Sequence, residues 1–194
     1  MSNRYDDFLA LHARGNPLLL PNPWDVGSAR LFASLGFGAL ATTSSGAAAA
    51  RGLADGELGA DGAIAHVGEI AAATDLPVSA DLENGFADDP AAVAALVTRA
   101  AGAGAAGCSI EDWDPVRERI YDSDLAVERI AAAVVAARSS RIVLTARAEN
   151  HIRGRDELAD TMRRLTAFAA AGADVVYAPG ITAREDIAAV VAAF

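Results

Sequence analysis

The chain has 194 residues, 53% of them hydrophobic and 22% charged, with a formal net charge of −10 and a pI near 4.6. That acidity argues against nucleic acid or an anionic membrane surface as a partner, and the length suits one domain with a sizeable core. All 16 basic residues are arginine, which excludes Schiff-base catalysis, pyridoxal phosphate anchoring and a P-loop, since each needs a lysine amine.

The N-terminal stretch "MSNRYDDFLALHARG" is acidic and amphipathic and lacks the basic start and apolar centre of a secretory signal, so a cytoplasmic location is expected. Apolar runs such as "AAAVVAA" fall well short of the roughly 20 residues that a bilayer span needs. Beyond this point strand-like runs alternate with helical periodicity, the pattern of a parallel α/β sheet covered by helices. Strands are predicted at 17–22, 39–44, 77–83, 107–112, 141–147 and 174–180, and helices near 25–36, 61–74, 90–103, 124–138, 156–171 and 183–193. Asp25 or Ser28, and Asp89 before Pro90, punctuate helix starts, while Gly36, Gly104 and Gly172 follow helix ends.

Polar residues gather where the predicted strands end: Asn22 and Asp25, then Thr43 to Ser45, Asp81 and Glu83, Glu111 and Asp112, and Arg147 with Glu149 and Asn150. In a parallel barrel all such ends face one mouth, where active sites of that architecture lie. In "VSADLENGF" the alternation of Val78, Ala80 and Leu82 puts Asp81 and Glu83 together on the other face. Their mutual repulsion calls for a cation, a basic neighbour or solvent, and with Glu111 from the next strand a hard divalent cation is the simplest compensation. Arg147 suits a substrate carboxylate or phosphonate, or else a salt bridge to Glu83 or Glu111. "TTSSG" at 42–46 offers hydroxyls and N–H groups for an oxyanion, although Ser-rich turns are common.

The segment "ARGLADGELG", 50–59, reads as a loop beside the mouth and a candidate lid, in which Asp55 is an acid, base or nucleophile, or simply a turn residue. Cys108 falls inside an apolar strand and reads as a small buried hydrophobe. Of three histidines, His12 and His66 read as structural, and His151 lies near the mouth.

"LLLPNPWDVGSARLF", "ATTSSG", "VSADLENGF", "CSIED", "LTARAEN" and "VVYAPG" occur in an order and spacing that resemble the isocitrate lyase/phosphoenolpyruvate mutase superfamily, most of all its phosphonomutase-like branch. The resemblance implies a (β/α)8 TIM-type barrel, usually homo-oligomeric, with a Mg2+ site for a small α-keto acid or phosphonate substrate. It implies that Asp81 is the principal metal-site carboxylate and that Glu83 and Glu111 hold metal-bound waters. Arg147 then corresponds to the substrate arginine, Ser45 and Gly46 to the substrate carboxylate site, and Asp55 to a gating-loop aspartate.

The chain departs from the pattern in three places. It has no Lys-Lys-Cys-Gly-His loop, which disfavours isocitrate or methylisocitrate lyase activity, and Cys108 is not a substitute. After "IED" it carries "WDPVRERIYDSD", where Arg117 or Arg119 is the expected source of positive charge. Only six βα units are legible, so a single barrel domain over 1–194 is expected to lack its C-terminal units and to belong to a longer chain or to need a partner. The expected activity is a lyase or isomerase acting on a C–C or P–C bond through an enolate; the rival is a non-catalytic barrel that binds a small carboxylate.

Overall fold

The computed structural model describes residues 4–13 and 15–194. Strands β1 (Leu40–Ala41), β2 (Val78–Asp81), β3 (Gly107–Glu111), β6 (Val143–Arg147) and β7 (Val175–Tyr177) form one parallel sheet in the order β1-β2-β3-β6-β7. Helices α1 (Arg4–Leu11), α2 (Val26–Ser34), α3 (Ser44–Ala50), α4 (Gly59–Ala73), α5 (Pro90–Gly102), α6 (Ser123–Ser140), α7 (Leu158–Ala171) and α8 (Arg184–Ala193) alternate with them. The result is an α/β fold of the TIM-barrel type, with its barrel incomplete.

Strand ends that the sequence pattern marks become observed ones. Val78, Ala80 and Leu82 are wholly buried: the main core joins Ala80 and Leu82 to Val93, Val97, Cys108, Ile110, Leu144, Leu165 and Phe168, while Val78 packs with Ala29, Leu40 and Ile70 in a second cluster. Each such fully buried aliphatic side chain contributes about 1.5–3 kcal/mol relative to leaving it in water. Asp25 caps α2 reciprocally with Ser28, and Asp89 caps α5 ahead of Pro90, as their spacing predicts.

Three local expectations are corrected. The run 17–22 is no strand: Pro17 and Pro21 remove two of its N–H donors, Pro23 follows directly behind it, and what remains of a ladder is the Ala41 N–H donating to the Pro21 carbonyl at 3.1 Å. "TTSSG" is no simple turn, because Thr43 caps α3 by accepting from the Gly46 N–H. "WDPVRERIYDSD" holds an antiparallel hairpin, β4 (Trp113–Asp114) with β5 (Arg119–Ile120), closed by the Asp114 carboxylate accepting from the N–H groups of Val116 and Arg117.

Register then places the chemistry. Glu111 pairs with Arg147 across β3 and β6, and Asp81 pairs with Ser109 across β2 and β3. The chain beyond β2 stays hydrogen-bonded to its neighbour, because the Glu111 N–H donates to the Glu83 carbonyl at 2.9 Å. Among the described residues no helix is long and apolar enough to cross a membrane.

Candidate active site

At the C-terminal ends of the central strands lies a cavity of about 420 Å³ lined by Ser44, Ser45, Asp55, Asp81, Glu83, Glu111, Arg147 and Glu149, with Trp113, Pro115, Ile152 and Arg153 on one side. Six of the seven residues singled out in the sequence therefore meet here. Gly46 is the exception. Its N–H is used within α3, and a side chain there would run into Thr43 and Trp24, so this glycine packs the helix start and does not line the cavity.

Asp81 is fixed from three directions. Its Oδ2 accepts from the Ser44 N–H at 3.0 Å and the Ser44 hydroxyl at 2.9 Å, its Oδ1 accepts from Arg147 at 3.3 Å, and its own N–H donates to Thr42 Oγ1 at 2.8 Å. Glu83 follows in a left-handed backbone conformation, φ 49°, which turns its carboxylate toward the cavity lined by Asp81. Such a φ is costly for a residue with a Cβ and is tolerated where the surroundings enforce it.

Those surroundings are built around Arg129 of α6, which is 1% exposed. Its guanidinium donates to the carbonyls of Asn84, Ala87 and Glu111 and stacks on the Tyr121 ring 4.1 Å away. Tyr121 in turn accepts from Asn84 Nδ2 and donates to Asp88. The turn after β2 and the end of β3 are thereby bound to one buried cation.

Arg147 is the hub of the opposite wall. It meets Glu149 at 2.8 Å, Glu111 at 3.1 Å and Asp81 at 3.3 Å. Burial works against its charge, but Glu111, Asp81 and Glu149 together hold the guanidinium above its ordinary pKa. The salt bridge expected to Glu111 is present, while among the described residues Glu83 makes none.

Glu83 is left uncompensated. Its Oε1 is buried with no hydrogen-bond partner among the described residues, and burial, then the charges of Asp81 and Asp55, push its pKa up to about 7 against the pull of Arg147. Glu111 is also raised well above the usual carboxylate range, first by burial and then by Glu149 and Asp81, even with Arg147 beside it. The cavity lining carries five carboxylates against two guanidinium groups. Such a site repels an anionic ligand until protons or a cation enter it. The oxygen-only donor set and the orphaned Glu83 oxygen suit a hard divalent cation. Among the described residues no three His, Cys, Asp or Glu side chains are grouped closely enough to hold a metal ion by themselves.

Several further placements were not foreseen. Glu149, 1% exposed, ranks with the main lining acids, yet in sequence it is only one more polar residue after a strand. Arg153 supplies the second cation, whereas Arg117 is engaged by Asp88 and Asp114, Arg119 faces Asp114 at 3.8 Å, and neither lines the cavity. Asp112, a strand-end acid by sequence, is structural: it accepts from the Glu149 N–H at 2.8 Å and pairs with Arg164 at 3.0 Å. Asp55 is both turn residue and lining residue, and His151 lies just outside the lining.

A family model described as phosphoenolpyruvate phosphomutase matches residues 8–194. The chain belongs to that family. An uncharacterized protein of Mycobacterium tuberculosis is 34% identical over 173 residues, which cover 89% of this chain and 64% of the relative. The chain thus spans a little under two thirds of that relative's length. Among solved structures, a lyase/mutase candidate from Burkholderia cenocepacia J2315 superposes with a TM-score of 0.94 at 52% identity, covering 98% of this chain and 69% of the other. A 2,3-dimethylmalate lyase, described as a member of the PEP mutase/isocitrate lyase superfamily, gives 0.90 at 33% identity over 99% of this chain and 69% of its own. An oxaloacetate acetylhydrolase holding its product oxalate gives 0.88 at 28% identity over 98% and 68%. Relatives in the phosphoenolpyruvate phosphomutase family and its superfamily include lyases and mutases of small acids.

Proposed function

We propose that this phosphoenolpyruvate phosphomutase family chain carries the site of a Mg2+-dependent lyase or isomerase. It would make or break a C–C or P–C bond next to the carbonyl of a small α-keto acid, such as oxaloacetate or phosphonopyruvate, by way of an enolate. The observation that carries this reading is the meeting of Asp81, Glu83 and Glu111 with Arg147 at one cavity on the C-terminal face of the sheet.

In this reading Asp81, Glu83 and Glu111 are the carboxylates that would hold the cation. The bound cation supplies positive charge against the negative charge that develops on the enolate oxygen. Ser44 keeps Asp81 oriented, and Arg147 keeps Glu111 and Glu149 from swinging into the space that a substrate needs. Ser45 offers a hydroxyl to the substrate carboxylate. Asp55, on the segment between α3 and α4, stands where a closing loop would exclude water and where a proton could be taken or given.

Titration calorimetry with oxalate, an enolate mimic, tests the reading. Binding that needs Mg2+, together with loss of turnover on oxaloacetate or phosphonopyruvate in Asp81→Ala, is the expected result. Mg2+-dependent oxalate binding with no turnover of any keto acid would instead indicate a barrel that only binds small carboxylates. No binding at all would end both readings.

A further inference from the structure

The two guanidinium groups of the cavity are in different situations. Arg147 is spent on three carboxylates and is 21% exposed in its side chain. Arg153 has one long contact, its Nε 3.6 Å from Glu149, with its side chain 38% exposed. Among the described residues its terminal amino groups have no hydrogen-bonding partner. Its guanidinium lies over the Trp113 ring, 4.4 Å from the centroid, and Trp113, Pro115 and Ile152 line the cavity with it.

We infer that Arg153 reads a second oxyanion on the substrate, a carboxylate or phosphonate carried beyond the keto-acid portion. This rests on the function proposed above. Three features of the chain support it. Stacking on Trp113 and the Glu149 contact at Nε restrict the side chain before a ligand arrives, so less freedom is lost when its outer fork engages two oxygens. Trp113, Pro115 and Ile152, which line the cavity with Arg153, offer no carboxylate to compete for its outer donors. The nearby hairpin arginines are already neutralised by Asp88 and Asp114, which leaves Arg153 as the cavity cation with unused donors.

A keto acid without a distal anion would leave this fork facing solvent and gain nothing from it. Selectivity for dianionic over monoanionic substrates then resides in the segment after β6 and in the hairpin, not in the metal-site acids. Arg153 is accordingly a specificity-determining residue.

The test compares ligands with and without an anionic group beyond the keto-acid portion; oxalate, whose two carboxylates both fall within that portion, is the ligand without one. Oxalate, oxaloacetate and phosphonopyruvate are titrated, with Mg2+, into the wild type, Arg153→Met and Arg153→Lys. The expected result is that Arg153→Met lowers the affinity for oxaloacetate or phosphonopyruvate relative to oxalate by about 10- to 100-fold, with partial recovery in Arg153→Lys. The ligand whose ratio falls more identifies the oxyanion that is read. Equal losses for all three ligands, or no loss, would overturn the inference while leaving the enolate site standing. Failure of the wild type to bind oxalate would remove the site itself, and this inference with it.

Discussion

The Glu111 N–H donates to the Glu83 carbonyl at 2.9 Å, so the two acids with the most strongly raised pKa values in the cavity sit on one hydrogen-bonded unit. Moving either strand end moves both carboxylates. What keeps that unit in place is Arg129, which donates to the Asn84, Ala87 and Glu111 carbonyls.

Arg129→Met is therefore expected to cost about 2–4 kcal/mol of stability, because buried carbonyls lose a charged donor that a thioether does not replace. Urea denaturation measures it. A loss under 0.5 kcal/mol, on the order of an ordinary surface substitution, would show that the three carbonyls find other partners.

Stability of the metal-free protein is expected to fall as pH rises toward 7 and beyond. Glu83 is raised from 4.5 to about 7 by burial and by Asp81 and Asp55. The folded state thus binds its proton more tightly than the unfolded state does. The resulting stabilisation is complete below the ordinary carboxylate pKa and is lost as the group ionises through about 7. Melting temperatures between pH 5 and 8 should decline, and Glu83→Gln should flatten that decline.

If a divalent cation takes the place of that proton, its binding near pH 7 releases protons and tightens as pH rises. Calorimetry of Mg2+ in buffers of different ionisation enthalpy reads the release directly. A pH-independent affinity would separate Glu83 from the cation.

Cys108 is wholly buried in β3, and burial pushes its thiol up to about 12. The native protein is expected to resist an aromatic disulfide reagent until denaturant is added. Rapid labelling of the folded chain would contradict its place in the core.

Gly85 has φ 80°, and a Cβ there would come 2.9 Å from Val93 Cγ2. Gly85→Ala combines strain with a clash inside the turn that carries Glu83. A destabilisation of about 1–3 kcal/mol is expected, with weaker Mg2+-dependent oxalate binding than stability alone would explain.

Where the sequence was informative, a single force decided the local outcome. Alternation at Val78, Ala80 and Leu82 marked a buried strand and threw Asp81 and Glu83 to one side, and capping at Asp25 and Asp89 marked helix starts. It misled where forces competed. The apolar run at 17–22 looks like a strand, yet its prolines withhold the donors of a ladder, and "TTSSG" looks like a turn until Thr43 caps it into α3. Asp112 and Glu149 are equal strand-end acids on paper. Only packing against Arg164 makes the first structural, and only the turn after β6 brings the second against Arg147. Arg153 was missed for the same reason, since stacking on Trp113 of a distant hairpin leaves no periodic trace.

The order β1-β2-β3-β6-β7 puts Asp81, Glu111 and Arg147 at the ends of the three inner strands and leaves β1 and β7 at the margins. Helix α8 beyond β7 buries no residue fully. Amide hydrogens should accordingly exchange in a gradient, slowest at Cys108 and Ile110 in the middle and fastest across β7 and α8. The margin can fray and re-form many times while the carboxylate cluster at the centre keeps its geometry.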